Sequence, residues 1–105
     1  MNAKNEFIEE TKDKAPVLCA DIKYGYYYES HIDKPVFMRL KIGYKPSDMD
    51  EFLNKLDFEY DEDFGTQELF GTIWLEDGTW FTRGEYDGSE WWSYKKLPSI
   101  PEYLQ

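Results

Sequence analysis

Acidic residues recur in the stretch Asp57-x-Glu59-x-Asp61-x-Asp63, with Glu68 behind it, and this places carboxylate oxygens at positions 1, 3, 5, 7 and 12 of a calcium-loop spacing. Position 6 of that frame is Glu62, where the sharp turn of such a loop needs glycine, and the residues after Glu68 read as a strand instead of a helix. Solvated acids are therefore the better reading, and no metal site is expected. His31 is the single histidine and lies in a turn-like stretch far in sequence from Cys19, the single cysteine, so a Cys-His or Ser-His-Asp nucleophile has little to be built from. No glycine-rich phosphate motif is present. With 22 carboxylates to choose from, an acid–base pair cannot be picked by spacing. The chain is read as a non-enzyme with no catalytic residue and no cofactor.

The charge balance says more. There are 22 acids against 12 Lys and Arg, a net charge of -10 and a pI near 4.4. A field of that sign repels phosphate backbones, which proteins hold mainly through Lys and Arg, so direct nucleic-acid binding is not expected and basic protein surfaces are the natural partners. At 105 residues, 41% hydrophobic and 19% aromatic, the chain has enough apolar bulk for one core and is read as a single domain spanning 1–105. One cysteine excludes an intramolecular disulfide and suits a reducing cytosol. No run approaches 18 apolar residues and the N-terminal stretch has no signal-peptide core, so no membrane contact and a cytoplasmic location are expected.

The elements that would position these groups follow from periodicity. Asn5 to Lys14 suggests a short helix with only Phe7 and Ile8 as apolar face, with fraying of residues 1–15 the alternative. From Val17 the chain alternates, with Leu18, Ala20, Ile22, Tyr24 and Tyr26 on one side, and Val36 to Tyr44 alternates again. These form a hairpin around the turn-like Glu29 to Pro35. Ser47 to Leu56 repeats Met49, Phe52, Leu53 and Leu56 at helical spacing behind an imperfect capping box, Ser47-x-x-Asp50. Leu69 to Tyr94 contains Asp77-Gly78 and Asp87-Gly88 between three aromatic and β-branched runs, the mark of a three-stranded meander. Residues 97–105 read as an extended tail. The expected fold is α+β, an antiparallel sheet of about five strands in the order β-β-α-β-β-β with one helix on one face.

A two-residue turn at Asp77-Gly78 sets Leu75 opposite Trp80 and puts Ile73, Leu75, Trp80 and Tyr86 on the core side. Trp74, Phe81, Arg83, Trp92 and Tyr94 then share the other side. A two-residue turn at Asp87-Gly88 also opposes Glu85 and Glu90, an unfavourable like-charge pair that argues for a longer turn. The aromatic face has two readings. It is covered by the N-terminal segment, the tail or a second subunit, with Arg83 stacked on Trp92, or it is a partner-binding patch.

The block LFGTIWLEDGTWFTRGEYDGSEWW, with PSIPEYL behind it, resembles the ending of a group of small proteins encoded by bacteriophages and prophages, and the likeness covers roughly Asp21 to Leu104. The resemblance implies an accessory protein acting in the cytoplasm of an infected bacterium, and it carries no functional residue across. Joined to the charge, it points to a protein that binds and modulates or inhibits a host protein with a basic surface. Nucleic-acid mimicry is the mechanism that the acids suggest, with Asp57, Glu59, Asp61, Glu62 and Asp63 as the charges and Trp74, Phe81, Arg83 and Trp92 as anchors. The alternative is a structural or assembly homo-oligomer, with a homodimer as its simplest form.

Overall fold

The structure, a computed structural model, describes residues 1–25, 35–61 and 67–105. His31, Glu62 and Asp63 lie outside the described residues, as does most of the turn between the first two strands.

Among the described residues there are two α-helices and five strands, α1 (Ala3–Thr11), β1 (Val17–Tyr24), β2 (Val36–Leu40), α2 (Pro46–Lys55), β3 (Leu69–Leu75), β4 (Trp80–Tyr86) and β5 (Ser89–Lys95). The strands make one antiparallel sheet in the order β2-β1-β3-β4-β5. The expected α+β architecture is observed, with α1 as a second docked helix.

Each boundary has a local cause. Asn2 caps α1 by accepting from the Asn5 N–H at 2.9 Å, so the helix starts two residues before the expected Asn5. Ala3, Glu6 and Phe7 are its buried side, and Phe7 meets Phe52 of α2 edge-to-face at 5.3 Å. This contact fixes a helix that would be marginal alone. In α2 the capping pair is Lys45 and Asp48, whose carboxylate accepts from the Lys45 N–H at 2.8 Å, instead of the expected Ser47 and Asp50. Pro46 sits at the first helical position, where its missing N–H costs nothing. β2 ends at Leu40, short of the expected Tyr44, because a turn with Gly43 at φ +84 follows and leaves Ile42 exposed.

Side-chain direction along the sheet departs from expectation in two places. The register slips between Val17 and Cys19, so Val17 faces the core in place of Leu18. In the β3–β4 hairpin the pairs are Trp74↔Trp80 and Ile73↔Phe81, one residue off the expected register. The Gly78 N–H donates to the Leu75 carbonyl at 3.2 Å, Gly78 takes φ +86, and the Leu75 N–H donates to the Thr79 carbonyl at 2.9 Å. This is a three-residue loop ending in a glycine bulge. It turns Phe81 and Arg83 to the core side and Trp80 and Tyr86 to the other. At Asp87-Gly88 the residues have φ 52 and 89 and the turn has two residues, so Arg83↔Trp92 and Glu85↔Glu90 pair and the longer turn that the like charges argued for is not adopted.

Both helices contribute to a single core on one face, with Phe7, Phe52 and Leu56 against Ile22, Met38, Leu40, Leu69, Ile73, Leu75 and Phe81. The opposite face carries Phe37 and Arg39 of β2, Asp21 and Lys23 of β1, Phe70, Thr72 and Trp74 of β3, Trp80 and Thr82 of β4 and Trp91 and Ser93 of β5. No helix covers it. The shortest dimension of the molecule, 21 Å, is that of one sheet and one helix layer.

Candidate functional site

Three groupings bear on function, and the first lies inside the molecule. Arg83 leaves β4 toward α1, and its guanidinium donates through Nη1 to Glu6 Oε2 at 3.3 Å and through Nη2 to Glu90 Oε1 at 2.6 Å and the Tyr60 hydroxyl at 3.1 Å. Tyr60 donates in turn to Glu6 Oε1 at 2.5 Å. Glu90 also accepts the backbone N–H groups of Glu68 and Leu69 at 2.8 and 3.0 Å. The indole of Trp92 lies 4.8 Å from the guanidinium carbon, the expected stack, though on the core side. The side chains of Arg83, Glu6 and Glu90 are only 2, 7 and 0% exposed. Every carboxylate oxygen is taken up within the network, and the guanidinium's Nε and the Trp92 Nε1 are the buried side-chain atoms left unpaired among the described residues.

The electrostatics follow from this sealing. Burial works against the charge on Arg83, yet Glu6, Tyr60 and Glu90 together hold its proton more tightly than usual. Burial first, and then its bond to Glu6, pushes the Tyr60 hydroxyl above the ordinary tyrosine range. A cluster this closed has no place for a reacting atom; it ties α1, the 57–61 segment, β4 and β5 into one unit. Arg83, Phe81 and Trp92 were expected on a patch open to a partner. With Phe81 0% and Trp92 4% exposed, none of the three is available to one. Glu6 of α1 meets Arg83, and Phe81 and Trp92 belong to the core. Glu85, opposite Glu90, is exposed and turns to accept the Gly88 N–H at 3.0 Å, so the like-charge pair is parted and the short turn stands.

The second grouping is the acidic helix layer. Phe58 and Tyr60 face inward while Asp57, Glu59 and Asp61 face out, so these three carboxylates stand in a row at alternate positions of an extended segment. Part of that charge anchors the N-terminal segment. Asp57 accepts from Asn2 Nδ2 at 2.9 Å and lies 3.8 Å from Lys4 Nζ, Glu59 is 3.3 Å from the Met1 amino group, and Asn2 bridges to Glu59. Residues 3–14 and 45–61 together hold ten acids against five lysines, and all but Glu6 are exposed. At the β5 edge of this layer a cavity of about 440 Å³ is bordered by Glu6, Glu9, Glu10, Glu90 and Trp91. Glu6 and Glu90 are already saturated, so it offers the exposed carboxylates of Glu9 and Glu10 together with an indole, surroundings that suit a cationic side chain.

The third grouping is the open sheet face. Trp74 and Trp91 are each 42% exposed and Phe37 47%, with Trp80 half-buried between Trp74 and Lys95. Trp91 lies against Gly84, where any Cβ would come within 2.6 Å of its ring. A shallow depression of about 190 Å³ is walled by Phe37, Phe70 and Trp74, with Asp21 and Lys23 at its rim. Lys23 lies over Phe70 at 4.8 Å, and Arg39 covers Phe37 at 4.5 Å while binding Asp21 at 3.1 Å. Trp74 is thus the only anchor expected from the sequence that is exposed. Trp80 and Trp91 were missed because the one-residue difference in the first loop exchanges the two faces, and the buried Glu6 and Tyr60 were missed because pattern alone gives no sign of where α1 docks.

Among the described residues no three His, Cys, Asp or Glu side chains come together as metal ligands, and no helix is long and apolar enough to cross a membrane. Comparison of the chain with protein-family models, with curated proteins and with solved structures returns no match.

Proposed function

We propose that this chain is a non-enzymatic binding protein that modulates or inhibits a host protein by engaging a basic surface through its acidic helix layer. The carrying observation is the segregation of charge. Among the described residues eight exposed acids lie on α1, α2 and the 57–61 segment, whereas the open sheet face presents Asp21 alone beside Lys23, Arg39 and Lys95. Charge serving only solubility has no reason to be so one-sided. Exposed ion pairs such as Glu9 with Lys12 hold their partners weakly, so the carboxylates stay accessible. The row at Asp57, Glu59 and Asp61 supplies evenly spaced anions on a backbone fixed by its bonds to the N-terminal segment, and a groove that normally holds phosphates is the surface that best matches it. The cavity beside Glu9, Glu10 and Trp91 adds a seat for one Lys or Arg of the partner.

The test is affinity capture from bacterial lysate at low and then high salt, with the wild type beside a Glu9→Lys, Glu10→Lys, Asp50→Lys variant. These residues are exposed, so the fold tolerates the changes. The expected result is one basic protein that salt releases and the variant fails to hold. Retention of the same protein by the variant, with unchanged salt sensitivity, contradicts the proposal.

A further inference from the structure

The two edges of the sheet differ. The Gly25 N–H donates to the Glu68 carbonyl at 2.9 Å, so odd-numbered residues of β1 exchange bonds with β3 and even-numbered ones with β2. Val36, Met38 and Leu40 therefore bond inward to β1, and the backbone N–H and C=O groups of Phe37 and Arg39 point away from the sheet. Both residues are exposed, and among the described residues no strand pairs with them from outside. At the other edge the two-residue turn sets the backbone of Glu90 and Trp92 outward in the same way, but each is only 4% exposed, so that edge is closed.

An open row of backbone groups is a template for another strand, and chains guard such rows with proline, bulges or outward charge. β2 has no proline and no bulge. Its one charge, Arg39, is drawn back over its own sheet, 4.5 Å from the Phe37 ring and 3.1 Å from Asp21. The strand is also self-complementary. Two antiparallel copies in full overlap bring Phe37 of each opposite Arg39 of the other, Val36 opposite Leu40, and Met38 opposite itself, and all the outward N–H and C=O groups of Phe37 and Arg39 are then bonded. A shift of two residues one way sets Arg39 against Arg39, and the other way sets it against Pro35, which has no N–H to give. Beside Leu40 a cavity of about 350 Å³ opens toward Phe52 of α2. Val36 of the second copy, opposite Leu40, enters it, and this side chain is 47% exposed in a single copy. The rim sets Lys41 and Lys55 against Asp48 and Glu51, so this edge is spared the excess of acids that keeps two copies apart elsewhere.

We propose that this chain forms a homodimer by antiparallel pairing of β2 with β2 of a second copy, which joins the two sheets into one of ten strands. The two-fold axis stands normal to the sheet, so both helix layers lie on the same side and the acidic surface doubles. The pairing is independent of the function proposed above, since it uses only the strand edge.

Sedimentation equilibrium of the full chain over a wide concentration range tests it, together with amide hydrogen exchange at Phe37 and Arg39. Two variants are compared at one exposed position, Phe37→Lys and Phe37→Glu. The wild type is expected to dimerise, and exchange at both amides is expected to slow as the dimer forms. Phe37→Lys sets like charges opposite each other twice, whereas Phe37→Glu sets opposite charges there. The lysine variant should therefore associate at least about 10-fold more weakly than the glutamate variant. A wild type that stays monomeric throughout overturns the proposal, and slow exchange at these amides in that monomer would give the edge to a different segment. So does a dimer in which the two amides exchange as fast as in the monomer, since the contact then lies elsewhere. Two variants that dimerise equally well also overturn it, because Arg39 of the second copy then does not face position 37.

Discussion

Arg83 holds its place because removing it would strand two carboxyls in the core. Replacing one member of a buried ionic cluster costs more than the pair contributed, since the partner keeps its desolvation penalty without its compensation. Arg83→Met is therefore expected to lower the unfolding free energy by about 3–5 kcal/mol in urea titrations, while the exposed pair Arg39 and Asp21 should matter by about 1 kcal/mol or less. Tyr60 gives a pH signature. Its folded hydroxyl keeps its proton above the ordinary value of 10, so its contribution is whole below that value and is lost as the solution becomes more alkaline. Melting temperatures should fall as pH rises from about 9 to about 11 in the wild type, and less steeply in Tyr60→Phe. A Tyr60→Phe variant with the same alkaline slope would place the titration elsewhere.

At the scale of elements, the β1–β3 pair leaves no room at Gly71. This residue has φ +146, and a Cβ there would lie 2.3 Å from the Asp21 carbonyl oxygen and 2.8 Å from the Ile22 Cα. Backbone on both sides cannot yield as a side chain can, so Gly71→Ala is expected to destabilise by about 3 kcal/mol, read from its urea midpoint. Docking of α1 is equally open to test. Phe7→Ala removes the ring that meets Phe52 and should cost about 3–5 kcal/mol, with a red shift of Trp92 emission as the cover over Arg83 loosens.

The same elements show what a sequence can disclose. Alternation placed Ala20, Ile22, Met38 and Leu40 on the core side, and helical spacing found α2, because burial on one face leaves a period that needs no knowledge of the partner. At Asp87-Gly88 both residues accept positive φ, but the like charges of Glu85 and Glu90 left the register open between a two-residue and a longer turn. Asp77-Gly78 did not give its register, since a two-residue turn and a three-residue loop with a glycine bulge share that dipeptide, and one residue of difference reverses every side chain beyond it. The Arg83 network was illegible for a further reason: it joins Glu6, Tyr60 and Glu90 across as many as 77 positions of sequence, and only the docking of α1 brings them together.

The molecule as a whole has two unlike sides. One is a helix layer dense in exposed carboxylates, and the other a sheet face rich in tryptophan and nearly free of acids. The buried cluster at Arg83 couples them mechanically by fixing α1 to the far strands. A partner with a basic surface should therefore touch one side only. The most direct measurement is carbodiimide labelling of exposed carboxylates, with and without the captured partner, mapped by mass spectrometry. The proposed function predicts that Glu9, Glu10, Asp50, Glu51, Asp57 and Glu59 lose their labelling in the complex while Asp21 keeps its own. Unchanged labelling of the helix layer, in a complex that still forms, would contradict it.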